Sequence, residues 1–102
     1  MPIVMHKQAQ KVWDEFIENY VENYGMALTQ KRVEALQKTF RRLVMFPEMG
    51  SIVRTNGTIY EYRAIRMFNY LKFIYFVSGL QINIVDIWIK KQDEERLKKR
   101  LK

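Results

Sequence analysis

A change of hydrophobic period at Pro47-Glu48-Met49-Gly50 constrains the fold of this chain more than any other feature. Before it, apolar residues recur at helical steps of three and four; after it, they come in alternating runs rich in Ile, Val, Tyr and Phe. The two halves must therefore form different secondary structure and pack on each other, because neither can bury its apolar face alone. With 102 residues, one domain spanning 1–102 accommodates both.

From Gln8 to Tyr24, the residues Ala9, Val12, Trp13, Phe16, Tyr20 and Tyr24 form one stripe, with Lys11, Asp14, Glu15, Glu18 and Glu22 mostly between them. That spacing predicts an amphipathic helix. Gly25 suits a helix end, and Thr29 offers an oxygen to the first free amides of a second helix that runs to about Met45. Val33, Leu36, Phe40, Leu43 and Val44 make its apolar stripe, which leaves Lys31, Lys38 and Arg42 as a basic ridge on the opposite side. The short link predicts an antiparallel helical hairpin, and Pro47 stops it because proline cannot continue the hydrogen-bond ladder.

Asn56-Gly57 between Ile52-Val53 and Ile59-Tyr60 is a hairpin signal, since both central residues of a type I′ turn need positive φ. Strands are expected from Thr58 to about Met67, from Tyr70 to Val77, and over Ile82 to Ile89, with turns at Asn69 and Ser78-Gly79. The middle strand alternates Leu71, Phe73, Tyr75 and Val77 against Tyr70, Lys72, Ile74 and Phe76. In the last, Ile82, Ile84 and Trp88 share one face and Val85, Ile87 and Ile89 the other. Pro2 to His6 is a short strand able to join the sheet. Asp93-Glu94-Glu95 followed by Lys98, Lys99, Arg100 and Lys102 matches the dipole of a short C-terminal helix. The expected order is β-α-α-β-β-β-α, an α+β fold with an antiparallel meander of three to four strands packed on an N-terminal helical hairpin.

The composition excludes several chemistries. There is no cysteine and one histidine, which rules out thiolate and multi-His metal sites and Cys-His catalysis. Four dispersed glycines make no phosphate-cradling loop, so neither a metal nor a cofactor is expected. No run of about 20 apolar residues and no cationic leader followed by a long apolar stretch is visible, so the expectation is a cytoplasmic protein without membrane association. The net charge of +7 is concentrated in 26–46 and 90–102, and such a field favours a polyanionic partner. His6 is expected to be an edge or capping residue, and Asp86, inside an apolar strand, to pair with a cation or serve a backbone amide.

The residues left for function are cationic and phenolic: Arg54, Tyr60, Tyr62, Arg63, Arg66, Tyr70, Lys72, Tyr75, Lys90 and Lys91. Together with Pro47-x-x-Gly50, Tyr62-Arg-Ala-Ile-Arg66, Tyr70-Leu-Lys-Phe-Ile-Tyr75-Phe-Val77 and Ile82-Asn-Ile-Val-Asp-Ile-Trp88, in this order, the chain resembles toxins of the RelE/ParE superfamily, the toxic partners of type II toxin-antitoxin pairs. The resemblance implies a cognate acidic antitoxin, bound in a hetero-oligomer, with a homodimer as a further state. It also implies one of two activities. RelE-type members cleave mRNA on the ribosome by 2′-oxygen attack on the adjacent phosphate; ParE-type members poison DNA gyrase by binding. Under the first, Lys72, Lys91 and Arg63 or Arg66 stand where such toxins carry functional cations, and Tyr75, or failing it His6, would supply proton transfer in place of a late Tyr or His that this chain lacks, Leu97 standing at one such place. Under the second, the ridge of Lys31, Lys38 and Arg42 offers a docking surface; with Arg54 and Lys90 these cations are the candidates for nucleic-acid or partner binding. A third reading is a non-toxic basic module that binds RNA or an acidic protein, with aromatics stacking on bases.

Overall fold

The computed structural model describes residues 1–53 and 59–89, with Ile89 described by its backbone alone. Its elements are β1 (Ile3–Met5), α1 (Lys7–Met45), β2 (Ser51–Ile52), β3 (Arg63–Met67), β4 (Leu71–Ser78) and β5 (Gln81–Ile89). The fold is α+β, with one long helical element against a five-stranded mixed sheet ordered β1-β5-β4-β3-β2. The expected Asn56-Gly57 turn and the C-terminal helix lie outside the described residues.

Where the sequence predicts two helices joined by a turn, the helical stretch of 39 residues is interrupted by a kink at Gly25, whose dihedrals (φ 83°, ψ 173°) are not helical. A straight helix of that length would extend about 58 Å, whereas the longest dimension of the molecule is 40 Å. The break is therefore where the element bends. That backbone region is nearly exclusive to glycine. Thr29 does not cap new amides there; its hydroxyl donates to the Gly25 carbonyl at 2.8 Å. Across the bend, Arg32 Nε donates to the Tyr20 hydroxyl at 2.9 Å, and the guanidinium carbon lies 5.3 Å from the Tyr20 ring centre and 4.4 Å from that of Phe68.

The expected stripes supply the buried Ala9, Trp13, Leu36 and Leu43, with Val12, Phe16, Val33 and Phe40 half-buried beside them. Tyr24 and Val44 depart from this pattern and are exposed. Trp13 and Phe40 both meet Phe73 edge-on, with centroids 5.9 Å and 6.1 Å apart, which seats α1 on the middle of the sheet. Each such ring taken from water contributes about 1.5–3 kcal/mol.

The sheet departs from the expected meander in three ways. It has five strands, because β1 joins it, pairing in parallel with β5 through Ile3↔Ile82 and Met5↔Ile84. Strand β3 begins at Arg63 rather than near Thr58 and is paired on its outer side by the two-residue β2. Between β4 and β5 the register shifts at Ile74/Tyr75: Ile74 faces Asp86, but Tyr75 faces Ile84. Val85 is the extra residue of a β-bulge. The bulge inverts the alternation, so Ile82, Ile84 and Ile87 all enter the core, while Trp88 stands on the other face, 47% exposed. The sequence reading placed Ile82, Ile84 and Trp88 together because strict alternation has no place for an inserted residue.

The turn from β3 to β4 has positive φ at both Phe68 (56°) and Asn69 (64°). Asparagine tolerates this conformation and phenylalanine rarely adopts it. Phe68 is held there by stacking on Phe16 at 6.2 Å and by the Arg32 guanidinium above it.

Candidate functional site

Cross-strand pairing decides which candidate residues share a surface. On β3 and β4 the pairs Arg63↔Tyr75, Ile65↔Phe73 and Met67↔Leu71 face α1, and Ala64↔Ile74 and Arg66↔Lys72 face away from it. Lys72 in turn pairs with Trp88 of β5. Arg66, Lys72 and Trp88 thus form a row across three strands on the face opposite the helix. Arg66 is exposed and Lys72 half-buried, and neither has a hydrogen bond or ion pair with any other described residue. Cations next to an aromatic face can hold a phosphate and stack a base.

Trp88 is oriented by Asp86. The indole Nε1 donates to Asp86 Oδ2 at 2.9 Å, and the Ile87 amide donates to Asp86 Oδ1 at 2.8 Å. The carboxylate therefore serves a backbone amide, as expected, with an indole rather than a cation as its second partner. Trp88 escaped the sequence reading because the bulge that exposes it leaves no mark in composition.

Arg63 and Tyr75 lie on the other face and have different partners. The Tyr75 hydroxyl, fully buried, donates to the Pro47 carbonyl at 2.6 Å and accepts from the Gly50 amide at 3.0 Å. Arg63 Nη1 donates to the carbonyls of Glu48 (3.0 Å) and Gly50 (2.9 Å), and Nη2 pairs with Glu61 at 2.8 Å. Both side chains clamp the segment between α1 and β2 onto the sheet. Burial pushes the Tyr75 hydroxyl above its ordinary value; the Gly50 amide and the Arg63 charge pull the other way, and the Glu48 carboxylate pushes up. The phenol is thus neutral at neutral pH, with its proton directed at a backbone carbonyl. Of the five residues expected at a cleavage site, the described part of the structure brings Arg66 and Lys72 together and places Arg63 and Tyr75 apart from them. Lys91 lies outside the described residues.

Lys31, Lys38 and Arg42 are all exposed on α1. Arg54 and Lys90 lie outside the described residues. His6 occupies the N-cap position of α1 without capping it through its side chain; its Nε2 lies 3.0 Å from Asn83 Oδ1, and its ring meets Phe76 edge-on at 6.4 Å. Tyr60 stacks on Phe76 at 4.0 Å, and Tyr62 meets the same ring edge-on at 5.5 Å. Phe73, Tyr75 and Phe76 are buried, in line with the core packing expected of an alternating strand. No described helix is long and apolar enough to cross a membrane.

The fold as a whole is similar to that of solved toxins. The chain is similar to a protein of the chromosomal ParDE toxin-antitoxin system of P. aeruginosa, with a TM-score of 0.68 at 18% identity, covering 89% of this chain and 97% of that one. It is similar as well to a YoeB/ParE toxin from Agrobacterium tumefaciens, with a TM-score of 0.58 at 19% identity, covering 87% of this chain and 98% of the other. At these identities the likeness is one of fold. The sequence itself matches the family profile of the ParE toxin of the type II toxin-antitoxin system, parDE, over residues 3–94. The chain belongs to the ParE toxin family. No curated protein sequence matches it. Membership implies a cognate antitoxin as partner.

Proposed function

We propose that this ParE-type toxin acts in the cytoplasm by binding DNA gyrase, without covalent chemistry of its own. The observation that carries this reading is the placement of Arg63 and Tyr75. Both are engaged with the Pro47–Gly50 backbone on the helix-facing side of the sheet, turned from Arg66 and Lys72. Cleavage by 2′-oxygen attack needs a proton acceptor and phosphate-holding cations within reach of one phosphate. A buried phenol with a raised pKa, facing a carbonyl on the other side of the sheet, is not such an acceptor. Binding asks for an exposed charged surface, which Lys31, Lys38 and Arg42 supply.

A second reading, mRNA cleavage on the ribosome, is favoured by one observation: the Arg66–Lys72–Trp88 row, where two cations and an exposed indole share an open face. Gyrase supercoiling with the purified chain, set beside transcript mapping after induction, separates the two. Loss of supercoiling with intact transcripts supports gyrase binding; new 5′ ends with normal supercoiling support cleavage and overturn the proposal.

A further inference from the structure

The end of α1, the segment after it and the far end of β4 hold apolar side chains out in solvent. Met45 is 71% exposed, Phe46 62%, Met49 43% and Val77 38%, and with Pro47 they line an open groove of about 760 Å³. A contiguous apolar surface of this kind marks an interaction site more often than chance exposure. The polar clamp described above makes the case stronger here. Two hydrogen bonds to the Tyr75 hydroxyl and two from Arg63 fix the backbone of Pro47, Glu48 and Gly50, and Met49 N–H donates to the Phe46 carbonyl at 3.0 Å. The apolar residues are thereby kept on display instead of folding back onto the sheet. A surface held in place beforehand loses less entropy when a partner docks.

The charge around the groove is less positive than the chain's overall balance. On a protein of net charge +7, its rim carries Glu48 and Glu61. Glu61 pairs with Arg63, the one cationic side chain among the described lining residues, beside which Met1 brings its terminal amine, whereas the Glu48 carboxylate has no hydrogen bond or ion pair with any other described residue. We infer that this groove seats an apolar segment of the cognate antitoxin that carries a Lys or Arg opposite Glu48. The identity of the occupant rests on the toxin reading; the groove's preference for an apolar, cationic segment rests on its own residues. Methionines at the contact suit such a seat because they adapt to the shape of the incoming side chains.

The test uses the full chain and its cognate antitoxin, sought as the product of an adjacent reading frame. Phe46→Asp with Met49→Asp should still arrest growth but escape rescue by that protein, with complex affinity lowered about thirtyfold or more. Phe46→Ala, which adds no charge, should weaken the complex in the same direction, and Glu48→Lys should weaken it about tenfold. Unchanged thermal midpoints show that the variants fold. Normal rescue and affinity in the double variant overturn the proposal, as does tighter binding by Glu48→Lys. Self-association of the toxin that Phe46→Asp abolishes gives the groove to a second copy and equally overturns it. If the unmodified chain neither arrests growth nor binds the neighbouring protein, the toxin reading fails and the antitoxin assignment with it. The chemistry of the groove is then judged by synthetic peptides: an amphipathic Leu/Lys peptide should bind in preference to its Leu/Glu counterpart despite the toxin's positive charge, and the opposite order overturns it.

Discussion

Gly50 and Tyr75 are joined so closely that neither position tolerates its nearest substitute. The Gly50 amide donates to the Tyr75 hydroxyl at 3.0 Å, and a Cβ on Gly50 would fall 2.8 Å from both Cε1 and the hydroxyl oxygen of Tyr75, and 2.9 Å from the Ala64 carbonyl. Gly50→Ala must push the ring or the β3 backbone aside, at about 1–3 kcal/mol. Tyr75→Phe removes the partner of a buried amide, at about 1–3 kcal/mol. Because the two share one contact, the double variant should lose less than the sum, as read by urea denaturation. Additive losses would show that the contact is not shared.

Gly25→Ala isolates a different effect. Beyond its chain neighbours and the adjoining helix backbone, no atom lies within 4 Å of the added Cβ, so the backbone conformation (φ 83°, ψ 173°) is what resists it. The expected loss is about 1–3 kcal/mol from dihedral strain alone, read in the same urea titration. An unchanged midpoint would mean that the bend relaxes to an ordinary helix.

The Tyr75 hydroxyl sets an alkaline limit. Its folded pKa lies above the ordinary value near 10, so between that value and the folded pKa the unfolded chain has already released the proton while the native chain keeps it. Stability from this group is complete below about pH 10 and falls as pH rises through the folded value. Tyrosinate absorbance should show a step above the ordinary phenol value, and Tyr75→Phe should abolish both that late step and its share of the alkaline loss. A late step that persists in Tyr75→Phe would assign it to another residue.

Arg63 and Arg66, three residues apart, should behave as opposites. Arg63→Ala frees the Glu48 and Gly50 carbonyls and should lower stability by about 1–3 kcal/mol. Arg66→Ala, exposed and without a described partner, should stay within about 0.5 kcal/mol. A large loss of stability in Arg66→Ala would place it in an internal network.

Reversing the exposed ridge with Lys31→Glu, Lys38→Glu and Arg42→Glu should abolish gyrase inhibition with little change in thermal midpoint. Arg66→Ala with Lys72→Ala should leave that inhibition intact. The reverse pattern in the supercoiling assay would move the functional surface to the sheet.

By itself, the sequence determined the division at Pro47–Gly50, the stripes that bury Trp13, Leu36 and Leu43, the strands ending near Val77 and Ile89, and the burial of Phe73 and Tyr75. All of these follow from local periodicity, which each segment carries in its own residues. It also carried the order of motifs that marks a RelE/ParE-like toxin. Only the tertiary structure decided the rest. The bulge at Val85 sends Ile87 to the core and Trp88 to the open face, the parallel pairing of β1 gives the sheet its fifth strand, and Phe68 holds a left-handed backbone against Phe16 and Arg32. Arg63 and Arg66 look equivalent along the chain, yet one clamps a loop and the other stands clear of any described partner. The reason is that pairing register and long-range hydrogen bonds join residues distant in sequence. A period measures which residues share a face, and an inserted residue or a carbonyl from another element changes what that face meets.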